Sequence, residues 1–230
     1  MRVIAHRGSS ARAPENTLAA FRAALEDGAD GVELDARLTA DEVVVVMHDD
    51  DVSRTTNGTG CVSEMSFEQV RALRVSGSEL IPTLEEVLAL VGGSTGIVVE
   101  IKGAFGGART ILGKDVARAV VPLIEEVPDV TASSFDPDAV AAVRALAPAV
   151  PTAITISRHA SLAETLSLAI DAQHAEIHLP ADHVDQAFVE RAHDASRAVL
   201  AYTVNDRAQA RALEQIGIDG IFSDDPAAIR

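Results

Sequence analysis

The sequence predicts an α/β fold in which parallel βαβ units close into an eight-stranded barrel. Short β-branched segments alternate with Ala-, Leu- and Glu-rich helical segments along the whole chain of 230 residues, and this alternation is typical of parallel sheets. Nine strand candidates can be counted, whereas a closed barrel needs eight and an open sheet five or six. Two of the nine lie too close together in the chain to be parallel neighbours, which accounts for the additional strand.

The nine strand candidates and the helices between them follow one another in a regular order. The strand candidates are residues 3–6, 31–37, 43–48, 96–102, 130–135, 151–156, 175–179, 199–204 and 219–223. The helical segments are residues 16–27, 84–91, 114–127, 137–146, 162–172, 185–195 and 207–216. Side-chain oxygens can accept the free N–H groups of a helix start, and the candidates for this are Thr17, Thr83, Ser161 and Asp206.

The second and third strand candidates are expected to form an antiparallel hairpin. Only residues 39–42 separate them, whereas a parallel crossover needs about a dozen residues or more. If Leu38 pairs with Val43, then Glu33 faces His48. This register would bring a carboxylate and an imidazole together at the mouth of the barrel.

The chain shows no change of composition that would mark a second domain. We therefore expect residues 1–230 to form a single barrel domain. The longest segment without a regular pattern, about residues 49–82, is expected to be a small insertion after the hairpin. Within it, Asn57-Gly58 indicates a turn, and residues 67–73 have the composition of a short helix.

The composition is that of an ordinary globular protein and disfavours several classes of function. Hydrophobic residues make up 47% and charged residues 23% of the chain, and 35 Asp and Glu against 19 Lys and Arg give a net charge of -16. This charge disfavours binding to nucleic acid and to anionic membrane surfaces. One cysteine, Cys61, cannot form an intramolecular disulfide or a cysteine-rich zinc site. We recognise no signal peptide and no apolar segment long enough to span a membrane, and expect a cytoplasmic protein.

Charged residues at the ends of apolar strands indicate a functional site. Glu33 and Asp35 lie two residues apart in one strand, and Glu100 and Lys102 in another, so that each pair shares one face of its strand. Barrel strands present such groups to the active site at their carboxyl ends. The alternative is an outward, solvated face or a pair of salt bridges. Helices cover the outside of a barrel, however, and charges buried there would be costly.

Three carboxylates that meet in one cavity require a compensating charge. Glu33, Asp35 and Glu100 would raise one another's pKa unless a cation neutralised them. An all-oxygen set of ligands suits Mg²⁺, Ca²⁺ or Mn²⁺ better than zinc. Lys102 would then lie at the edge of an anion-binding site.

Two histidines, His6 and His48, stand at strand ends near these carboxylates. A lone histidine is commonly structural, but a pair of imidazoles can share acid and base roles near neutral pH. Arg7 offers a planar bidentate donor for phosphate. His178 also ends a strand and is a further candidate to line the site. The histidines that we expect at surface or helix positions are His159, His174, His183 and His193.

An ordered set of short segments over nearly the whole chain resembles one known family. The segments are His6-Arg7-Gly8, Pro14-Glu15-Asn16-Thr17, Glu33-Leu34-Asp35, His48-Asp49, residues 54–60, residues 81–86, Glu100-Ile101-Lys102, Thr203-Val204-Asn205 and Asp224-Asp225-Pro226. Each segment alone is unspecific, but the ordered set at compatible spacing is similar to the glycerophosphodiester phosphodiesterases.

This resemblance implies a TIM-type (β/α)8 barrel with a small insertion at about residues 49–82, after the second strand's hairpin. It also implies one divalent cation, Mg²⁺ or Ca²⁺, with Mn²⁺ as a further option. The implied residue roles are metal ligands Glu33, Asp35 and Glu100, an acid–base pair His6 and His48, and phosphate contacts Arg7 and Lys102.

The expected reaction is metal-dependent hydrolysis of a small glycerophosphodiester to glycerol 3-phosphate and an alcohol. We expect the glycerol 2-hydroxyl to attack the phosphate and form a cyclic phosphate, with His6 as the base and His48 as the acid. The sequence departs from the family pattern at Tyr202, where tryptophan is usual, and at Glu176-Ile177-His178-Leu179, where an Asn/Pro-like segment is usual. Both departures concern segments that face the substrate and bear on head-group preference.

Two other functions are compatible with the same residues. A related barrel phospholipase that acts on intact phospholipids would use much the same acid–base and metal set. Aromatic residues amount to only 3% of the chain, with no tryptophan, so we expect no aromatic stripe for stable membrane association. A non-catalytic barrel that binds a phosphorylated metabolite is the second alternative, and the presence of both His6 and His48 argues against it.

Overall fold

The computed structural model describes residues 1–105 and 107–230. Within these residues the strands are β1 (Arg2–Ala5), β2 (Gly31–Leu38), β3 (Val44–Val46), β4 (Gly96–Ile101), β5 (Val130–Ser134), β6 (Thr152–Thr155), β7 (Glu176–Pro180), β8 (Ala198–Tyr202) and β9 (Gly220–Ser223). The helices are α1 (Leu18–Glu26), α2 (Phe67–Ala72), α3 (Leu84–Val91), α4 (Gly113–Ile124), α5 (Pro137–Leu146), α6 (Leu162–Asp171), α7 (Gln186–Asp194), α8 (Arg207–Gln215) and α9 (Pro226–Ile229). Short 3₁₀ helices are Val52–Arg54, Val62–Glu64 and Ala181–His183.

Eight of the strands form a closed parallel barrel, as predicted. The order around the ring is β1-β9-β8-β7-β6-β5-β4-β2, and the pairing of β1 with β2 closes it. The remaining strand, β3, lies outside the ring and pairs antiparallel with the last residues of β2. Because the strands of the ring are parallel, all their carboxyl ends lie at the same end of the barrel, which is where such folds carry their active sites.

The hydrophobic core lies mainly between the ring and the helices around it. On β4, for example, Ile97, Val99 and Ile101 belong to a large apolar cluster that includes Phe21 of α1. Phe188 of α7 is the largest fully buried side chain in the corresponding cluster beneath β6 to β9. Since strand side chains alternate between faces, the residues between these apolar positions point into the barrel. That alternation places Glu100 on the inner face of β4.

The hairpin between β2 and β3 is present, but its predicted register is wrong by one residue. Leu38 is paired with Val44 and not with Val43, so Glu33 does not face His48 across the hairpin. The reason is the loop: the Thr39 hydroxyl accepts a hydrogen bond from the Val43 amide at 3.0 Å. This contact keeps Val43 in the turn, and β3 ends before His48, which lies in the segment that follows.

The four predicted helix starts are confirmed, and each side chain acts through an oxygen that accepts a backbone N–H. Thr83 and Glu86 form a reciprocal capping box at the start of α3, the arrangement that such spacing favours. The other three caps are Thr17 on α1, Ser161 on α6 and Asp206 on α8.

Residues 49–82 pack over the hairpin of β2 and β3 and share a small apolar cluster with it. The cluster joins Met47, near the hairpin, to Val52, Val62, Val70 and Ile81. The predicted helix at residues 67–73 is present as α2, which the capping box of Ser66 and Gln69 begins. The description of residues 1–230 as one domain with this insertion stays a prediction. None of the helices described is both long and apolar enough to cross a membrane.

Candidate active site

A cavity of about 210 Å³ opens at the carboxyl end of the barrel. It lies between two walls that differ in chemistry: charged groups come from β1, β2, the hairpin and β4, whereas neutral and aromatic groups come mainly from β5 to β9. Its lining residues are His6, Arg7, Glu33, His48, Glu100, Lys102, Ser133, Phe135, Thr155, His178, Tyr202, Thr203 and Phe222. Six of the seven predicted site residues are therefore in the lining, and the seventh, Asp35, lies just behind it.

Three carboxyl groups form an acidic cluster in this cavity, defined as Glu33, Asp35 and Glu100. One oxygen from each lies within 4.8 Å of the others. Glu33 and Asp35 share the inner face of β2, and the register of β2 against β4 pairs Asp35 directly with Glu100. Glu33 and Asp35 are 4% and 1% exposed, so that water can do little to screen the charges.

Asp35 has more compensating contacts than either glutamate of the acidic cluster. Its carboxylate lies 3.1 Å from Nζ of Lys102 and 3.4 Å from Nε of Arg7, and the side-chain amide of Asn16 donates to it at 2.8 Å. Burial opposes ionisation, but the two cations outweigh it and hold the pKa of Asp35 far below its usual range. Asp35 is therefore a carboxylate under all ordinary conditions.

The two glutamates of the acidic cluster are less well compensated. Burial, together with the charge of Asp35, raises the pKa of Glu33 to about 8, although the backbone N–H of Arg7 donates to it at 2.9 Å. Burial also raises the pKa of Glu100 despite the nearby Lys102. Nζ of Lys102 is 2.5 Å from Oε1 of Glu100, but this oxygen has no hydrogen-bond partner of acceptable geometry.

This donor set fits a divalent cation. The acidic cluster offers only oxygen ligands, which hard cations such as Mg²⁺ and Ca²⁺ prefer. Oε1 of Glu100 is buried and makes no hydrogen bond, and the single ammonium of Lys102 beside it is shared with Asp35. A divalent cation at this position would supply the further positive charge that a buried carboxylate requires. A positive charge at this position would also relieve the repulsion that raises the pKa of Glu33 and Glu100.

The loop after β1 brings His6 and Arg7 into the cavity. It continues into Gly8, whose φ is +78° and where an added Cβ would lie 2.6 Å from the backbone of Ala20. Only glycine fits there without a shift, so the loop can lie directly against α1. Arg7 turns back toward the barrel and also donates to Glu15 at 2.9 Å.

His6 is oriented by a carboxylate from the opposite end of the chain. Its Nδ1 donates to Asp224 at 2.7 Å, which leaves Nε2 free to face a ligand. Asp224 is itself held by Asn205 and Ser10, at 2.6 and 3.1 Å. Burial lowers the pKa of His6, but the hydrogen bond to Asp224 and the charge of Glu33 outweigh it, and the pKa lies above its ordinary value.

His48 is oriented in a similar way, but its pKa is shifted in the opposite direction to that of His6. Its Nδ1 donates to Asp49 at 2.6 Å, and Asp49 in turn accepts a hydrogen bond from Arg54. Burial and the charges of Lys102 and Arg7 lower the pKa of His48 below its ordinary value, against the opposing effect of nearby carboxylates. The two imidazoles therefore differ in basicity, as expected of an acid–base pair.

Several residues that support the site were not predicted. Asp224 belongs to one of the segments that carry the family resemblance, but the sequence assigns it no role; Asp225 caps α9, which leaves Asp224 free to bind His6. Asn16 stands immediately before the cap of α1 and has a left-handed φ of 57°, which turns its amide toward Asp35. The signal that could have found Asp224 is a pair of adjacent aspartates where one is enough to cap a helix.

One expectation about histidines is wrong. His174 is not at the surface but 1% exposed, where it forms a 2.9 Å hydrogen bond with Thr152. Burial, with two nearby arginines, lowers the pKa of His174 to about 4, so that it is neutral and structural. His178, by contrast, does line the cavity.

Comparisons with known proteins agree with this geometry. The model of the glycerophosphoryl diester phosphodiesterase family matches residues 6–228. A glycerophosphodiester phosphodiesterase of Caldanaerobacter subterraneus subsp. tengcongensis is 33% identical over 238 residues, which cover 99% of this chain and 95% of that protein. A solved phosphodiesterase of Oleispira antarctica, in complex with the product sn-glycerol-3-phosphate, is 32% identical, with a TM-score of 0.91 over 100% of this chain and 95% of that one. A glycerophosphodiester phosphodiesterase of Thermotoga maritima is 28% identical, with a TM-score of 0.82 over 99% and 96% of the two chains.

The hydrogen bond between His6 and Asp224 generates a prediction about proton affinity. We expect Asp224→Asn to lower the pKa of His6, because the variant removes the carboxylate that stabilises the imidazolium. The measurement is an NMR titration of the histidines in metal-free protein. Asp225→Asn is the matched control, because Asp225 is adjacent but caps α9 and should leave the pKa of His6 where it is. An unchanged pKa of His6 in Asp224→Asn would show that this carboxylate does not set it.

Proposed function

The chain belongs to the glycerophosphoryl diester phosphodiesterase family and hydrolyses glycerophosphodiesters, and from this premise we propose that its reaction depends on one divalent cation and on the acid–base pair His6 and His48. The observation that carries the proposal is the acidic cluster of Glu33, Asp35 and Glu100, in which the pKa of both glutamates is raised. The ion that we infer is Mg²⁺ or Ca²⁺, and Mn²⁺ also suits the ligands.

The charge of the site supports a requirement for the cation. Three carboxylates face two cationic side chains, Arg7 and Lys102, so the chain alone leaves the site negative when all its acids are ionised. A phosphodiester anion would be repelled from such a site. When bound, the cation would make the site positive and polarise the phosphoryl oxygen that carries the developing charge.

Arg7 and Lys102 are proposed to hold the phosphate at the edge of the acidic cluster. Both side chains line the cavity, and each now contacts Asp35. Once the carboxylates are neutralised by the cation, the guanidinium and ammonium groups are free to donate to phosphoryl oxygens. Glu15 keeps the Arg7 guanidinium in place from the side away from the cavity.

His6 is proposed as the base and His48 as the acid. The raised pKa makes His6 the stronger base of the pair, and the lowered pKa makes protonated His48 the stronger acid. His6 accepts the proton of the glycerol 2-hydroxyl, whose oxygen attacks phosphorus. The bond from phosphorus to the alcohol oxygen breaks, and His48 donates its proton to that oxygen. Water then opens the cyclic phosphate with the two roles exchanged, which yields glycerol 3-phosphate.

The substrate is proposed to be a small diester, such as glycerophosphocholine or glycerophosphoethanolamine, and not a lipid in a membrane. The net charge of -16 opposes adsorption to an anionic surface. Two aromatic side chains, Phe105 and Phe135, are nevertheless 67% and 45% exposed on the segments after β4 and β5. Two exposed rings are fewer than stable insertion of a protein into a bilayer generally requires.

Removal of the cation, or of one of its proposed ligands, tests the requirement for the cation. We expect chelation to abolish turnover of glycerophosphocholine and added Mg²⁺ or Ca²⁺ to restore it. Glu100→Gln should weaken cation binding, measured by calorimetry, at least about tenfold, because it removes a charged ligand. Glu85→Gln is the control, since Glu85 is an exposed residue of α3 outside the cavity. Turnover that survives chelation, or unchanged affinity in Glu100→Gln, would remove the basis of the proposed metal site.

The dependence on leaving group tests the role of His48. His48→Ala should slow hydrolysis of glycerophosphocholine by roughly 10²–10⁴-fold. The diester of 4-nitrophenol should be slowed much less, because nitrophenolate leaves without a proton. His193→Ala is the control, since His193 lies on α7 and pairs with Asp219 away from the cavity. Equal slowing of both substrates would show that His48 is not the acid.

A further inference from the structure

Two polar side chains on the neutral wall of the cavity have no part in the proposed reaction. They are Thr155, the last residue of β6, and His178 in the middle of β7. The register of these parallel strands makes the two residues neighbours, so that their side chains share a face about 5 Å apart. Both line the cavity, and they are 5% and 2% exposed.

Thr155 presents a hydroxyl that none of the described residues satisfies. Its Oγ1 is buried and has no hydrogen-bond partner among residues 1–105 and 107–230. An unpaired buried hydroxyl destabilises a protein, and valine would fill the same volume without that cost. The position therefore carries a hydrogen-bonding group at the expense of stability, as functional sites commonly do.

The ring of His178 is held in one orientation by its contacts with Glu176 and Phe222. Its Nε2 lies 3.0 Å from Glu176, which also accepts from Arg2 at 2.7 Å. Burial raises the pKa of Glu176, but these two partners outweigh it and lower the pKa to about 2. Because an ionised carboxylate can only accept, Nε2 carries the proton, and it is the tautomer with a bare Nδ1 that would offer an acceptor to a ligand. An edge-to-face contact with Phe222, at 4.9 Å between ring centroids, holds the ring in this orientation.

Nδ1 of His178 has no hydrogen-bond partner in the part of the chain that the structure describes. An acceptor on His178 and a hydroxyl on Thr155 thus stand side by side on one wall of the cavity. A ligand hydroxyl can use both groups at once, since it can donate one hydrogen bond and accept another.

We propose that Thr155 and His178 form a subsite for one neutral hydroxyl group of the substrate. The hydroxyl donates to Nδ1 of His178 and accepts from the hydroxyl of Thr155. This inference rests on the proposed function, because the diester must occupy the same cavity.

Two parts of a glycerophosphodiester could supply such a hydroxyl. The first is the terminal hydroxyl of glycerol, since the 2-hydroxyl is consumed in the proposed attack. The second is a hydroxyl of the leaving alcohol, which glycerophosphoglycerol has and glycerophosphocholine lacks. The chemistry that the subsite recognises is the same in both cases, and two arms of one experiment separate them.

The first arm measures binding with Mg²⁺ present, by calorimetry. The ligands are sn-glycerol 3-phosphate and propane-1,2-diol 1-phosphate, which differ only in the terminal hydroxyl. The second arm compares kcat/KM for glycerophosphoglycerol and glycerophosphocholine. The variants are Thr155→Val and His178→Leu, with Thr131→Val as control, because Thr131 lies on β5 outside the cavity lining.

The subsite predicts that the wild type prefers the hydroxyl-bearing ligand by roughly tenfold in one of the arms, the size of one net hydrogen bond. Thr155→Val should abolish that preference, leave binding of the ligand without the hydroxyl unchanged, and keep or raise Tm, whereas Thr131→Val should retain the preference. The arm that responds identifies the source of the hydroxyl. His178→Leu should abolish the same preference, but it also leaves Glu176 unpaired, so Thr155→Val decides the outcome.

The proposal is overturned if Thr155→Val keeps the wild-type preference in both arms, or if the wild type has none. A lower Tm of Thr155→Val with an unchanged preference would make the hydroxyl merely structural. Failure of the proposed function is a different result: the wild type would show no metal-dependent turnover, while the binding arm would still report whether the hydroxyl is recognised.

Discussion

Repulsion among three buried carboxyl groups is the constraint around which the rest of the structure is arranged. Glu33, Asp35 and Glu100 lie within 4.8 Å of one another, where little water can screen them. Lys102 contacts both Asp35 and Glu100, and Arg7 contacts Asp35, yet both glutamates keep a raised pKa. The site is therefore only partly neutralised, and the divalent cation that we propose would supply the missing positive charge.

The barrel produces this arrangement from simple local geometry. Side chains two residues apart share a strand face, and the parallel register of β2 and β4 places Asp35 beside Glu100. The hairpin to β3 and the segment that follows carry His48 to the same end of the barrel, where Arg54 of the insertion holds Asp49 against it. Loops from both ends of the chain meet where Asp224 orients His6. Charged residues on one wall of the cavity thus face neutral residues, such as Thr155, on the other wall.

The barrel, and the position of the seven candidate site residues at one end of it, could be predicted from the sequence because both depend on the short-range pattern of the strands. The roles of these residues stay a proposal. In a closed barrel, charged residues at the carboxyl ends of apolar strands lie at the end that carries the active site. The hairpin register could not be predicted, since one hydrogen bond from the Val43 amide to the Thr39 hydroxyl decides how many residues the loop contains. The role of Asp224 could not be predicted either, because it depends on a contact across 218 residues. His174 was misplaced because nothing in its local sequence shows that Thr152 lies beside it.

A crystal structure of the protein with Mn²⁺ and sn-glycerol 3-phosphate tests the central claim most directly, because anomalous scattering locates the ion independently of the model. The account predicts one anomalous peak at roughly 2.0–2.6 Å from an oxygen of each member of the acidic cluster. It also predicts phosphate oxygens within reach of Arg7 and Lys102. An ion bound elsewhere, or a bound ligand with no ion in the acidic cluster at saturating Mn²⁺, would contradict it.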